Sequence, residues 1–131
     1  IGLPGPLGAG ESVLARAIAS GAGIDEVMPS PSYNLRLEYD APTGAKVIHM
    51  DLYRIEDPDE VWELGWSDVG APSEIVLVEW PERARSALPA DWWSIELTPA
   101  DSDPLLRDVV VERHGAPPEL PGFPISVRGG R

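Results

Sequence analysis

The chain has no cysteine, and only two of its 131 residues are histidine. That excludes a disulfide framework, a thiolate nucleophile and a cysteine-rich zinc site, so any metal has to be held by oxygen. Positive charge is scarce as well. Ten Lys and Arg stand against 22 Asp and Glu, a formal charge of −12, and Lys46 is the sole lysine. A protein that grips nucleic acid through its general surface does so by neutralising phosphates with Lys and Arg, and this composition argues against it. Should the chain serve RNA, a partner holds the RNA. No apolar run approaches the ~18 residues of a membrane span, and the first residues lack the basic-then-apolar pattern of a secretory signal. The expectation is a soluble, cytoplasmic protein with no membrane contact. The length suits a single domain able to bury its own core. Because the chain starts at Ile1 and enters a glycine-rich turn within a few residues, a further N-terminal segment is expected.

What is present reads as alternating strand and helix. "IGL" is expected to be the end of a strand, followed by a loop and then a helix over Ser12 to Ser20 with Val13, Leu14, Ala17 and Ile18 as its buried stripe. Gly21 to Gly23 stop that helix. In residues 33–39, Tyr33, Leu35, Leu37 and Tyr39 alternate with Asn34, Arg36 and Glu38, the pattern of a half-buried strand. The turn "DAPTG" and the strand "KVIHMDLY" make this a hairpin, with Ile48, Met50 and Leu52 inward and His49 and Asp51 on the other face. Asp57, Pro58 and Glu60 mark a helix start, with Val61 and Leu64 inward until Gly65. "IVLVEW", residues 75–80, has four consecutive apolar residues, as in a parallel strand covered on both faces. A short helix is expected in "PERARSAL", and two antiparallel strands in 92–98 and 107–113. From Gly115 to Arg131 the density of proline and glycine predicts a flexible tail after a domain of residues 1–114.

The stretch "GPLGAGES", residues 5–12, nearly spells a phosphate-binding loop. The pattern G-x-x-x-x-G-K-[ST] uses glycines to turn backbone N–H groups toward phosphate oxygens, a lysine to neutralise them and a hydroxyl to hold magnesium. Gly5, Gly10 and Ser12 fit; position 11 is Glu11. A strand, a glycine loop and a helix, with Glu79 closing a second buried strand, is the layout by which open parallel sheets bind triphosphates at their carboxyl ends.

Four ordered motifs together resemble the TsaE family, bacterial ATPases required for threonylcarbamoyladenosine formation in tRNA. The family's loop G-D-L-G-A-G-K-T stands beside "GPLGAGES", and its S-P-T-[FY] segment beside "SPSY", Ser30 to Tyr33. Its H-x-D-L-Y-R strand matches "HMDLYR", His49 to Arg54, and its V-E-W-P segment matches "VEWP", Val78 to Pro81. The resemblance implies a P-loop NTPase-like α/β domain, three-layered, with a mainly parallel sheet and antiparallel edge strands. It implies ATP and magnesium as cofactors. Gly8, Ala9 and Gly10 would offer backbone N–H groups to phosphates, and Ser12 and Glu79 would hold magnesium. Glu79 and Asp51 would act in catalysis, Ser32 would respond to nucleotide, and Trp80 would be the aromatic beside the site or core filler. His49 and Tyr53 read as structural. The resemblance also implies partners of the TsaD and TsaB type, which transfer the threonylcarbamoyl group, so that tRNA is met only indirectly.

Two departures fall within the loop. Glu11 replaces attraction by repulsion: two unit charges ~4 Å apart at an effective dielectric of ~20 interact by about 4 kcal/mol, on the order of a thousandfold in affinity. Pro6 replaces the family's Asp and removes a backbone donor. Lys46 is expected far from the loop, which leaves Arg54, Arg107 or a partner as substitute cations. Glu11 is nonetheless well placed for the helix dipole, worth ~0.3–1 kcal/mol without a ligand. The sequence therefore admits an ATP hydrolase, or a non-hydrolysing, partner-binding protein of the same family. A small-molecule kinase is a third reading, but the chain has no recognisable acceptor motif or arginine-rich lid.

Overall fold

The computed structural model describes residues 1–5, 8–26, 28–29 and 35–119. Pro6, the Ser30 to Tyr33 motif with Ser32, and residues 120–131 lie outside the described residues.

Six strands form one sheet: β1 (Gly2–Leu3), β2 (Arg36–Asp40), β3 (Lys46–Asp51), β4 (Glu74–Glu79), β5 (Trp92–Ala100) and β6 (Asp103–His114), in the order β2-β3-β4-β1-β5-β6. The four inner strands run parallel, while β2 and β6 pair antiparallel at the two edges. This is the mainly parallel sheet with antiparallel edges that the sequence predicts. Its apolar run places β4 centrally: Val78 lies beside Gly2 on one side and Met50 on the other. No helix among the described residues is long and apolar enough to cross a membrane.

Each face of the sheet carries its own core. On one side the helix α1 (Glu11–Gly21) packs Ala15 and Ala19 against Leu3, Val47 and Leu77. On the other, Ile48, Met50 and Val78 meet Leu52, Val61 and Trp66. The alternation along β3 decides this: Val47 points to one core, Ile48 to the next, and each fully buried aliphatic side chain contributes about 1.5–3 kcal/mol. Both faces of β3 are therefore covered. His49 and Asp51 alternate with Ile48, Met50 and Leu52 and so lie on the opposite face, as expected, and there both are buried.

Three expectations change. In α1 the innermost residues are Glu11, Ala15 and Ala19, with Leu14 and Ile18 half-buried, whereas Ala17 is exposed and Val13 is 65% exposed. The small alanines let the helix approach the sheet closely, and that rotates Val13 outward. Leu35 has φ 60, a left-handed conformation, and packs on the opposite core from Leu37 and Tyr39, so the predicted alternation breaks where β2 begins. The helix starting at Asp57 is a 3-10 helix, Pro58–Leu64, and "PERARSAL" is likewise 3-10 over Pro81–Ala87. Pro58–Leu64 spans seven residues, long for a 3-10 helix, and ends at the left-handed Gly65. Its predicted cap is present: the Asp59 N–H donates to Asp57 Oδ1 at 2.9 Å, and the Asp57 N–H donates to Glu60 Oε1 at 3.0 Å.

Residues 115–119 follow β6 along the end of β5. The Ala116 N–H donates to Asp91 Oδ1 at 2.8 Å, and the Trp93 indole N–H donates to the Pro118 carbonyl at 2.7 Å.

Candidate phosphate-binding site

β1, β3 and β4 end at the same edge of the sheet, and the register sets Glu79 between Leu3 and Asp51. The chain leaves β1 through the glycine loop and returns as α1. Gly10 is the residue before that helix, and its φ of 117 is open to glycine but strained for any other residue. This turn brings the first residues of α1 over the tip of β4. There the Ser12 hydroxyl donates to Glu79 Oε1 at 3.2 Å, joining segments 67 residues apart in sequence. The two chain segments expected to share a ligand do face each other.

Glu79 is 5% exposed, and its second oxygen lies 2.7 Å from His49 Nε2. The imidazole thus orients the carboxylate from below, in keeping with the structural role read for His49. Beside it, Asp51 Oδ1 accepts the Tyr53 backbone N–H at 3.0 Å. Burial pushes the Asp51 carboxyl above the usual carboxylate range; the Tyr53 N–H pulls it back in part, and the charge of Glu79 pushes it up again. Trp80 follows in a left-handed turn, φ 57, which ends β4 and sets its indole 5.0 Å from the Tyr53 ring, tilted by 52°. The Arg83 guanidinium lies 5.7 Å from the Tyr53 ring centroid and 5.8 Å from that of Trp80.

A hollow of about 470 Å³ opens between these groups. It gathers Gly8, Gly10, Glu11, Ser12, Asp51, Glu79 and Trp80 from the predicted set. Val13, Tyr53 and Arg54 complete its wall. Val13, which the sequence assigned to the core, lies instead in this wall, and Tyr53, read as structural, lines it while packing on Trp80. Gly5, Ala9 and Arg107 stand behind the wall. Ala9 is buried, and its carbonyl accepts from Arg107 Nε at 2.9 Å, while Arg107 Nη1 donates to the carbonyls of Pro104 and Leu106 at 2.8 and 2.9 Å. Arg107 therefore braces the loop from β6.

A larger hollow of about 680 Å³ lies at the amino ends of β1 and β4, walled by Trp66, Ile75, Val76 and Trp92. Its size does not make it the candidate for phosphate, since its walls are chiefly apolar and it lacks the loop and the convergent oxygens of the smaller one.

Glu11 is the unusual member of the site. It is 7% exposed, its Oε2 accepts the Gly10 N–H at 3.2 Å, and its Oε1 has no hydrogen-bond partner among the described residues. Lys46 is remote, 3.6 Å from Glu38 at the hairpin turn. Among the described residues no group of three His, Cys, Asp or Glu could hold a metal ion alone. Ser12 and Glu79 present a hydroxyl and a carboxylate, a partial oxygen shell that fits magnesium, which keeps waters and phosphate oxygens as its other ligands.

The family described as "Threonylcarbamoyl adenosine biosynthesis protein TsaE" matches residues 1–108. Similar proteins include the tRNA threonylcarbamoyladenosine biosynthesis protein TsaE of Haemophilus influenzae, 39% identical over 66% of this chain and 54% of that protein. Those of Rickettsia bellii and Bacillus subtilis are 32% and 33% identical over 84% and 77% of this chain, covering 76% and 62% of their own lengths. The chain thus spans between about half and three quarters of these relatives. Among solved structures, the crystal structure of Bacillus subtilis YdiB superposes with a TM-score of 0.62 at 25% identity, over 88% of this chain and 67% of that one. The α/β architecture expected of a P-loop NTPase-like domain is thereby supported from sequence and structure alike. With a family match over residues 1–108, and with residues of the glycine loop, the H-x-D-L-Y-R strand and the V-E-W-P segment meeting at one hollow, the chain belongs to the TsaE family of threonylcarbamoyl adenosine biosynthesis proteins.

Proposed function

We propose that the hollow holds a magnesium-bound nucleoside triphosphate, ATP in the family reading, and that the chain supports threonylcarbamoylation of tRNA by acting on partner proteins of the TsaD and TsaB type. The observation that carries this is the Ser12 hydroxyl on Glu79 Oε1, 3.2 Å apart at the mouth of a glycine loop. In this reading Ser12 and Glu79 hold magnesium, which supplies charge neutralisation to the phosphates. Gly8 and Gly10 present backbone to the phosphates. Asp51, at the strand end beside Glu79, would lie near the outer phosphate, where its carboxylate could accept the proton of an attacking water. Trp80 and Tyr53 close the apolar side. A net charge of −12 leaves tRNA to the partners.

Calorimetry with ATP, with and without magnesium, tests the binding step, and phosphate release with and without the partner pair tests turnover. Binding that requires magnesium and disappears in Ser12→Ala is expected; hydrolysis absent under every condition overturns the enzymatic form. One observation favours a second reading. The buried Glu11 carboxylate sits where a cation should be, which suits a non-hydrolysing protein that keeps the partner surface but not the nucleotide chemistry. Magnesium-dependent ATP binding by the unsubstituted chain at ordinary nucleotide concentrations counts against that second reading.

A further inference from the structure

We propose that Glu11 is a built-in occupant of the phosphate loop: its carboxylate takes the place of an anionic ligand, and a triphosphate enters only when that side chain swings out. The inference rests on the triphosphate reading of the hollow. It starts from where the carboxylate lies. A glutamate at the first position of a surface helix ordinarily projects into water, where the helix dipole and solvent both favour it. Glu11 instead turns back into the loop, and its Oε2 accepts the Gly10 N–H, a donor of the kind such a loop offers to phosphate. Its Oε1 is enclosed, with no partner among the described residues.

The loop is shaped around this group. Gly5 has φ 136, and a Cβ built there would stand 3.1 Å from Glu11 Oε1, so a larger residue would crowd the carboxylate. Arg107 holds the loop from outside through the Ala9 carbonyl and so fixes the backbone that encloses Glu11. Replacing lysine by glutamate has then done two separable things. It has removed a cation from the site and inserted an anion in the ligand's place. An enclosed carboxylate with one oxygen unpaired is also an occupant that can be displaced, because water or a cation would satisfy that oxygen outside.

The two effects are separated by truncating the side chain without adding charge. Titrations with magnesium-ATP and with inorganic pyrophosphate are to be run on the unsubstituted chain, Glu11→Ala and Glu11→Lys, each checked for folding by circular dichroism. Glu11→Ser replaces Glu11→Ala should the latter not fold. The expected result is that Glu11→Ala binds both ligands about tenfold tighter or more than the unsubstituted chain, with no lysine in the loop, and that Glu11→Lys binds tighter still. Tight binding by Glu11→Lys with no gain in Glu11→Ala or Glu11→Ser overturns the occupant and leaves a missing cation as the whole defect. Equal, tight binding by the unsubstituted chain and Glu11→Ala overturns it as well, since the loop would then be open. Failure of all variants to bind removes the triphosphate reading itself, and the occupant with it.

Discussion

Replacing His49 by leucine removes the imidazole under Glu79 at nearly constant volume. His49 is 1% exposed and Glu79 5%, so water cannot replace the lost partner without opening the core. A hydrogen bond to a charged group contributes about 1.5–3 kcal/mol, and leaving one member of a buried pair alone costs about 3–5 kcal/mol. Glu79 keeps the Ser12 hydroxyl on its other oxygen, which places the expected loss near the lower end, about 2–3 kcal/mol. For a domain of this length that is a fall in Tm of roughly 10 °C. Urea unfolding of the unsubstituted chain, His49→Leu, Glu79→Gln and the double variant measures it as a cycle. The double variant is predicted to be more stable than the summed losses allow, by about 1 kcal/mol or more, because a neutral amide no longer needs the imidazole. A loss under about 1 kcal/mol for His49→Leu, or strict additivity, would refute the coupling of these two side chains.

Asp57→Ala removes the acceptor of the Asp59 N–H and half of the reciprocal cap, and thermal melting should show a loss of about 1 kcal/mol. At Gly10, an added Cβ meets only Leu97 Cδ1, at 3.6 Å, among the described residues, so Gly10→Ala tests chiefly backbone strain: about 1–3 kcal/mol is expected at φ 117, by chemical denaturation. The Arg36 guanidinium bonded to Glu38 holds that carboxyl below the usual range. Its small stabilising contribution is therefore present above the unfolded carboxylate value and fades as pH falls through the lowered folded value. In a carboxyl-detected NMR titration the Glu38 midpoint should rise in Arg36→Ala; an unchanged midpoint would show that the pair does not persist in solution.

What could be read in advance was what local pattern determines. "IVLVE" announced a strand covered on both faces because a half-buried strand would alternate, and Asp57-Pro58-x-Glu60 announced its cap because those side chains serve their own helix turn. The hairpin of β2 and β3 was legible for the same reason. What escaped depends on distant neighbours. Ala15 and Ala19 carry too little apolar surface to outvote Val13 in a periodicity count, yet close contact with the sheet selects them. The left-handed backbone at Leu35 leaves no mark in an alternating pattern. Arg107 reaches the Ala9 carbonyl across 98 residues, and His49 meets Glu79 across 30, contacts that exist only once the strand order is known. Most residues that line the hollow were named in advance because they belong to motifs; the inward turn of the Glu11 side chain was not, because its position 11 alone gives no direction.

The most direct measurement is a calorimetric titration of ATP into Glu11→Lys, with magnesium and with EDTA, repeated in Glu11→Lys/Ser12→Ala. If the Ser12 hydroxyl and the Glu79 carboxylate form a magnesium-nucleotide site, Glu11→Lys binds ATP with magnesium, and binding collapses with EDTA or with Ser12→Ala. Binding that persists without magnesium and without the hydroxyl, or no binding by Glu11→Lys at all, contradicts it.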